Sequence, residues 1–180
     1  MVVVGAANSA VQIAVELAEV AKVSIAVRGK IQFCPQMILG KDLHFWLKLT
    51  RLDYTSWIED QSTPVMDSGE YRRAIRNGKP NQRKMFTRFI HDGVEWSDGT
   101  EEKVDAVIFA TGFRPKLEYL ASLGQSEALE NGTAPQGVST EIPDLYFVGY
   151  SKLRSFSSAT LRGVGRDAEY VVERLKRNLG

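Results

Sequence analysis

Met1 to Ala10 reads MVVVGAANSA, and the architecture expected of the chain follows from these ten residues. Val2, Val3 and Val4 form a β-branched run without polar alternation, the pattern of a strand covered on both faces, as in parallel sheets. Gly5 ends the run, and Asn8 or Ser9 stands where the cap of a following helix belongs. The exposed N–H groups and positive dipole end of such a helix form a site for a phosphate anion. A strand, a tight glycine turn and a helix in immediate succession predict a dinucleotide-binding βα unit.

The spacing Gly5-x-Ala7-x-x-Ala10 is a relaxed form of the GxGxxG/A fingerprint, in which the first glycine makes the turn and the middle one admits a pyrophosphate to the backbone. Ala7 puts a methyl group at that middle position, so the motif by itself fits a nucleotide site and an ordinary strand-to-helix turn about equally. Val11, Ala14, Val15, Leu17, Ala18 and Ala21 recur at helical spacing and predict one face packed on a sheet. The apolar run within Lys22 to Val27 then closes a βαβ unit. Arg28-Gly29-Lys30 follows, where NAD-binding versions carry an acid for the ribose 2′-hydroxyl. Positive charge there favours the 2′-phosphate of NADP; the plain alternative is a solvated strand end.

The chain has 180 residues, 43% of them hydrophobic, enough for one domain or one and a half. A net charge of +1 and a pI near 7.8 exert no general pull on nucleic acid or anionic membranes. No apolar run approaches the roughly 18 residues that span a bilayer, and Met1 leads into a strand rather than a signal peptide, so a soluble, cytoplasmic protein is expected. Cys34 is the only cysteine, which excludes an internal disulfide or a CxxC pair; beside Pro35 it reads as structural. His44 and His91 are too few and too isolated for a metal site, and His44, among Leu43, Phe45, Trp46 and Leu47, reads as packed or hydrogen-bonded. No GxSxG elbow or cysteine–histidine arrangement supports hydrolysis. No catalytic acid, base or nucleophile is identified.

Lys41 to Asp60 carries aromatics and leucines at helical spacing and predicts an amphipathic helical excursion, either a lid on the core or a surface that shapes a substrate tunnel or docks another domain. Ser62 to Arg83 turns polar, with Pro64, Gly69, Gly78 and Pro80, and predicts a loop with at most one short helix. Arg72, Arg73, Arg76, Lys79, Arg83 and Lys84 form a basic cluster that fits phosphate contacts or a solvated face. Strand signals return at Lys84 to His91 and Val94 to Trp96, joined by the hairpin dipeptide Asp92-Gly93. Ser97 to Thr100 makes the next turn. Val104 to Thr111 predicts a buried strand that stops at Gly112.

Asp105 to Pro115, DAVIFATGFRP, resembles the ATG-containing linker of class B flavin-containing monooxygenases and their relatives among oxidoreductases with two dinucleotide domains. Gly5 to Ala14, GAANSAVQIA, is similar to their NADPH fingerprint, usually Gly-x-Gly-Asn-Ser-Gly/Ala, with Ala7 the departure. Pro143 to Tyr150, PDLYFVGY, and Ser157 to Tyr170, SSATLRGVGRDAEY, resemble the closing strand and helix of the FAD domain. These matches span most of the chain in the family order, and they are most similar to the CzcO-like bacterial flavoprotein oxidoreductases.

The resemblance implies an α/β fold: a Rossmann-like NAD(P)H-binding domain over 1–112, with a three-layer parallel sheet, a β-meander and the helical excursion at about 41–60, followed by a partial FAD-domain segment over 113–180. It implies that Gly5, Ala7, Asn8, Ser9, Ala10, Arg28 and Lys30 hold NADP(H), that Thr111 and Gly112 frame the crossing between domains, and that Gly149, Ser158, Ala159 and Thr160 supply part of an FAD site. In such proteins the NADPH domain is inserted into the FAD domain. Neither an FAD-type fingerprint nor the FxGxxxHxxx(Y/F) signature precedes it in this sequence, so the chain reads as a carboxy-terminal half, from a truncated product or an internal start, with a weak or incomplete FAD site. The implied chemistry is hydride transfer from NADPH to FAD and oxygenation of a small substrate whose identity is not encoded in these residues. A second copy or a separate FAD-domain chain is the partner this implies. Two other readings stay open: an NADP(H)-binding regulatory or sensing module without catalysis, and an inactive remnant that self-associates along the exposed edge of the strand carrying Leu145 and Phe147. In the last helix Ala168, Val171, Val172, Leu175 and Leu179 share a face.

Overall fold

The computed structural model describes residues 1–52, 64–113, 115–124, 134–151 and 153–179. They divide into two compact units, Met1–Leu43 with Gln61–Gly112, and His44–Asp60 with Phe113–Gly180. In chain order the elements are β1 (Val2–Val4), α1 (Asn8–Leu17), β2 (Ser24–Val27), β3 (Phe33–Pro35), β4 (Met37–Ile38), β5 (Lys41–Asp42), α2 (Leu43–Thr50), β6 (Val65–Asp67), α3 (Glu70–Arg76), β7 (Asn81–Lys84), β8 (Arg88–Ile90), β9 (Gly93–Glu95), β10 (Glu101–Lys103), β11 (Val107–Phe109) and α4 (Val164–Leu179). No helix among the described residues is long and apolar enough to cross a membrane.

The first unit is built on a four-stranded sheet in the order β11-β1-β2-β7, with every pairing parallel. Counted along the chain these are strands 4-1-2-3, the order that starts a doubly wound sheet. Both faces are covered, which is why the valine run does not alternate. On one face Val3, Ile25 and Val27 pack with Ala10, Val11, Ala14 and Val15 of α1, with Tyr71, Ala74 and Ile75 of α3 against them. On the other, Val2, Val4 and Ala26 pack with Phe86, Val94 and Trp96 beneath the antiparallel meander β8-β9-β10. The three layers are therefore helices, sheet and meander.

The structure departs from four expectations. The polar segment before Arg83 contains two strands and a helix: β6 pairs with β3, and β7 is the outer strand of the main sheet. Its residues, Asn81, Gln82, Arg83 and Lys84, are mostly exposed, because an edge strand needs no apolar run. The run from Lys84 to His91 is not one strand, since Met85 and Phe86 turn under the sheet before β8 begins. Gly93 is not in the hairpin turn but opens β9, where an added Cβ would lie 2.0 Å from the Glu102 carbonyl oxygen; the close β10 backbone, not turn geometry, requires glycine. The predicted strand 104–111 shortens to β11, and Phe109 is 59% exposed at the outer edge.

The second unit holds a smaller core of Leu117, Ala134 and Phe147, with Leu120, Leu145, Tyr150 and Leu153 against it. The closing strand expected at Pro143 to Tyr150 is reduced to a single bridge, Val138 to Tyr146, because no longer strand pairs with it among the described residues. Phe147 is accordingly buried in this cluster rather than exposed on a free edge. In α4, Val171 is buried, whereas Val172 and Leu175 are exposed at 48% and 37%; the expected apolar face is only partly covered. Of the helical stretch at 41–60, α2 forms, and residues 53–60 lie outside the described residues.

Candidate functional site

The carboxyl ends of β11, β1 and β2 gather the glycine turn, the Ala110-Thr111-Gly112 segment and the basic residues after Val27. Gly5 sits between strands: its N–H donates to Ala26 O at 3.1 Å, while Ala110 N–H donates to Val4 O at 2.8 Å. With φ +144°, and with an added Cβ 2.3 Å from Ala110 O and 2.8 Å from the Ala10 Cβ, this position accepts only glycine. The reversal of strand order between β1 and β11 is the point where ligands enter sheets of this kind. Ala10 is fully buried and serves helix–strand packing.

α1 begins through Ala7, whose extended backbone (φ −102°, ψ −174°) needs no glycine, and no side chain caps the helix. The cap expected from Asn8 or Ser9 is absent because the helix already starts at Asn8, which puts Ala7 in the cap position, and the Asn8 amide is engaged elsewhere. Its Oδ1 accepts from Met66 N–H at 2.9 Å and its Nδ2 donates to Pro64 O at 3.3 Å. Asn8 thus ties β6 to the first turn of α1. Ala7 and Ser9 remain exposed, and α1 carries no acid in that turn, so its N–H groups and dipole face outward without a competing carboxylate. Thr111 and Gly112 are exposed just beyond β11, and Arg28 and Lys30 just beyond β2.

Asp67, which sequence reasoning missed, ends β6 and starts the following helix. Buried to 6% exposure, its carboxylate accepts from Gly69 N–H at 2.9 Å, Tyr71 N–H at 3.0 Å and Arg72 N–H at 3.2 Å and so caps α3. The Asp67-Ser68-Gly69-Glu70 run before Tyr71 was the available signal. Of the basic cluster, Arg83 stacks over Trp96 at 4.4 Å and pairs with Asp98 at 2.7 Å, and Arg72 lies over Phe33 at 5.2 Å. These two are structural.

In the second unit Gly149 is exposed, as are Ala159 and Thr160. Ser158 is fully buried; its Oγ accepts from Arg154 N–H at 3.1 Å and Ser155 N–H at 3.0 Å. The Thr160 hydroxyl donates to Ser157 O at 2.7 Å and accepts from Gly163 N–H at 3.2 Å, and Val164 N–H is satisfied by Thr160 O. The loop entering α4 therefore spends these donors on itself. Buried Asp167 pairs with Arg154, whose guanidinium covers the Tyr170 ring at 4.0 Å. Burial, and the Tyr119 phenol beside it, push the Tyr150 hydroxyl above its usual range.

A pyrophosphate-bearing nucleotide fits the first unit: the uncapped helix start, the Cβ-free turn against Ala110 and the cations beyond β2 are of the required kind. Ser158 and Thr160 do not fit a flavin in the same way, because their polar atoms are already used. Residues 1–149 match the pyridine nucleotide-disulphide oxidoreductase family, and the chain belongs to it. Among individual proteins, it is similar to a CzcO-like oxidoreductase of Geobacillus kaustophilus, 32% identical over 96% of this chain and 51% of the relative. Similarity to the CzcO oxidoreductase of Bacillus subtilis is 30% over 97% of this chain and 52% of that protein. Its structure is similar to a flavin-containing monooxygenase from Stenotrophomonas maltophilia, with TM-score 0.73 and 26% identity over 99% of this chain and 50% of that one. The chain spans about half the length of the curated relatives it matches. The resemblance read from the Gly5 turn and Ala110-Thr111-Gly112 is thereby borne out.

Proposed function

We propose that this chain is the Rossmann-like NADP(H)-binding part of an FAD- and NADPH-dependent monooxygenase. The observation that carries the reading is the convergence, at the carboxyl edge of one parallel sheet, of an uncapped helix start, a turn that only glycine can make and unneutralised positive charge. The N–H groups opening α1 would hold the pyrophosphate and Arg28 and Lys30 the 2′-phosphate, with Thr111 and Gly112 framing the crossing between domains. Hydride acceptance and oxygen activation would be the chemistry that FAD supplies. Because Ser158 and Thr160 are committed to their own loop, the flavin is held largely by groups outside this chain, on a second copy or a separate FAD-domain chain.

The test is calorimetric titration of the purified chain with NADPH, NADH and FAD. Binding of NADPH in preference to NADH, weakened by Arg28→Ala, with no stoichiometric flavin retained, is the expected result. Failure to bind any nicotinamide nucleotide would overturn the proposal. NADP(H) binding that persists unchanged with every flavoprotein half supplied, and without oxygenation, would favour the sensing module instead.

A further inference from the structure

Resting on the NADP(H) reading, we infer that Lys84 is a third determinant of 2′-phosphate selectivity, supplied by the neighbouring strand rather than by the Arg28-Gly29-Lys30 segment. β2 and β7 are parallel and in register, with Val27 opposite Lys84 and Met85 N–H donating to Val27 O at 2.9 Å. Parallel neighbours lie about 4.8 Å apart, so Lys84 stands one strand spacing from the base of the Arg28 turn. Residues opposite one another share a face, and Val27 packs on the α1 side. The preceding residue, Arg83, takes the other face and is held by Trp96 and Asp98, which leaves Lys84 on the side where α1 presents its N-terminus.

Arg28, Lys30 and Lys84 are all exposed, and none has a carboxylate partner among the described residues. The acid at the carboxyl end of β6, Asp67, is occupied by the N–H groups of Gly69 and of Tyr71 and Arg72 at the start of α3. Three unneutralised cations on two adjacent strand ends repel one another, and a dianionic phosphate bridging them relieves that repulsion. A ribose 2′-hydroxyl does not, so the cluster discriminates by charge.

The experiment compares the full chain with Lys84→Glu and Lys84→Arg, using NADPH, NADH and adenosine 2′-monophosphate as titrants, with thermal melting to check folding. Lys84→Glu should weaken NADPH and adenosine 2′-monophosphate by about tenfold or more while leaving NADH unchanged, and Lys84→Arg should retain the native preference. Equal loss for both dinucleotides, or an unchanged preference in Lys84→Glu, would overturn the inference and leave the nucleotide site standing. A wild-type chain that binds neither dinucleotide would overturn the proposed function, and this inference with it.

Discussion

Gly5 and Asn8 show how single positions build the site. Gly5→Ala would place a methyl 2.3 Å from Ala110 O at φ +144°, and a cost of about 3 kcal/mol is expected in urea denaturation. Asn8 lies in the first turn of α1, yet its amide belongs to β6. Asn8→Ala strips an acceptor from Met66 N–H and should cost about 1–2 kcal/mol, whereas Asn8→Asp, which keeps that acceptor, should cost less. Ala7 was a departure from the fingerprint in sequence; its exposed, extended backbone explains how the turn forms without the middle glycine. Asp98 gives a pH-dependent case. The Thr100 hydroxyl at 2.6 Å and Thr100 N–H at 3.0 Å, then Arg83, hold its carboxyl at about 2, below the ordinary 3.8. A depressed folded value means that its stabilisation is complete above the ordinary value and fades as pH falls towards 2. Carboxyl NMR should find Asp98 titrating near 2 in the wild type and nearer 3.8 in Thr100→Ala; titration near 3.8 in both would refute this.

Among the elements, the meander is joined to the sheet by one polar cluster. Glu102 accepts from Ser24 Oγ and Trp96 Nε1, each at 3.0 Å, and faces Arg83 at 3.8 Å. Glu102→Ala leaves the buried Ser24 hydroxyl and Trp96 Nε1–H without their acceptor, while Arg83 keeps Asp98, and should cost about 2–3 kcal/mol in denaturant titration. Periodicity exposed β1, α1 and β2 because their burial is uniform or one-sided, and the Ser97 to Thr100 turn carried its own chemistry. It missed β7, whose Asn81 to Lys84 run is polar because the strand is an edge, and β6, whose identity rests on Asn8 and Phe33 far along the chain. It also misplaced Gly93, where the constraint comes from the β10 backbone. Ser158 and Thr160 matched a family pattern, but a pattern does not reveal that hydroxyls are consumed by adjacent N–H and carbonyl groups.

Among the described residues the two units differ in core size. The first buries one cluster on each face of its sheet, the second a single cluster built on Leu117, Ala134 and Phe147. Calorimetry should therefore resolve the second unit as the less stable transition, and Phe147→Ala should lower it by about 3 kcal/mol while sparing the first. Saturating NADPH should raise the first transition, by about 2.7 kcal/mol at a hundredfold excess over Kd. The most direct test of the nucleotide site is amide NMR of the labelled chain during NADPH titration. The largest shifts are predicted at Ala7 to Ala10, at Arg28 to Lys30 and at Thr111 and Gly112, around the carboxyl edge of the sheet; shifts confined to other surfaces, or none at saturating nucleotide, would contradict the account.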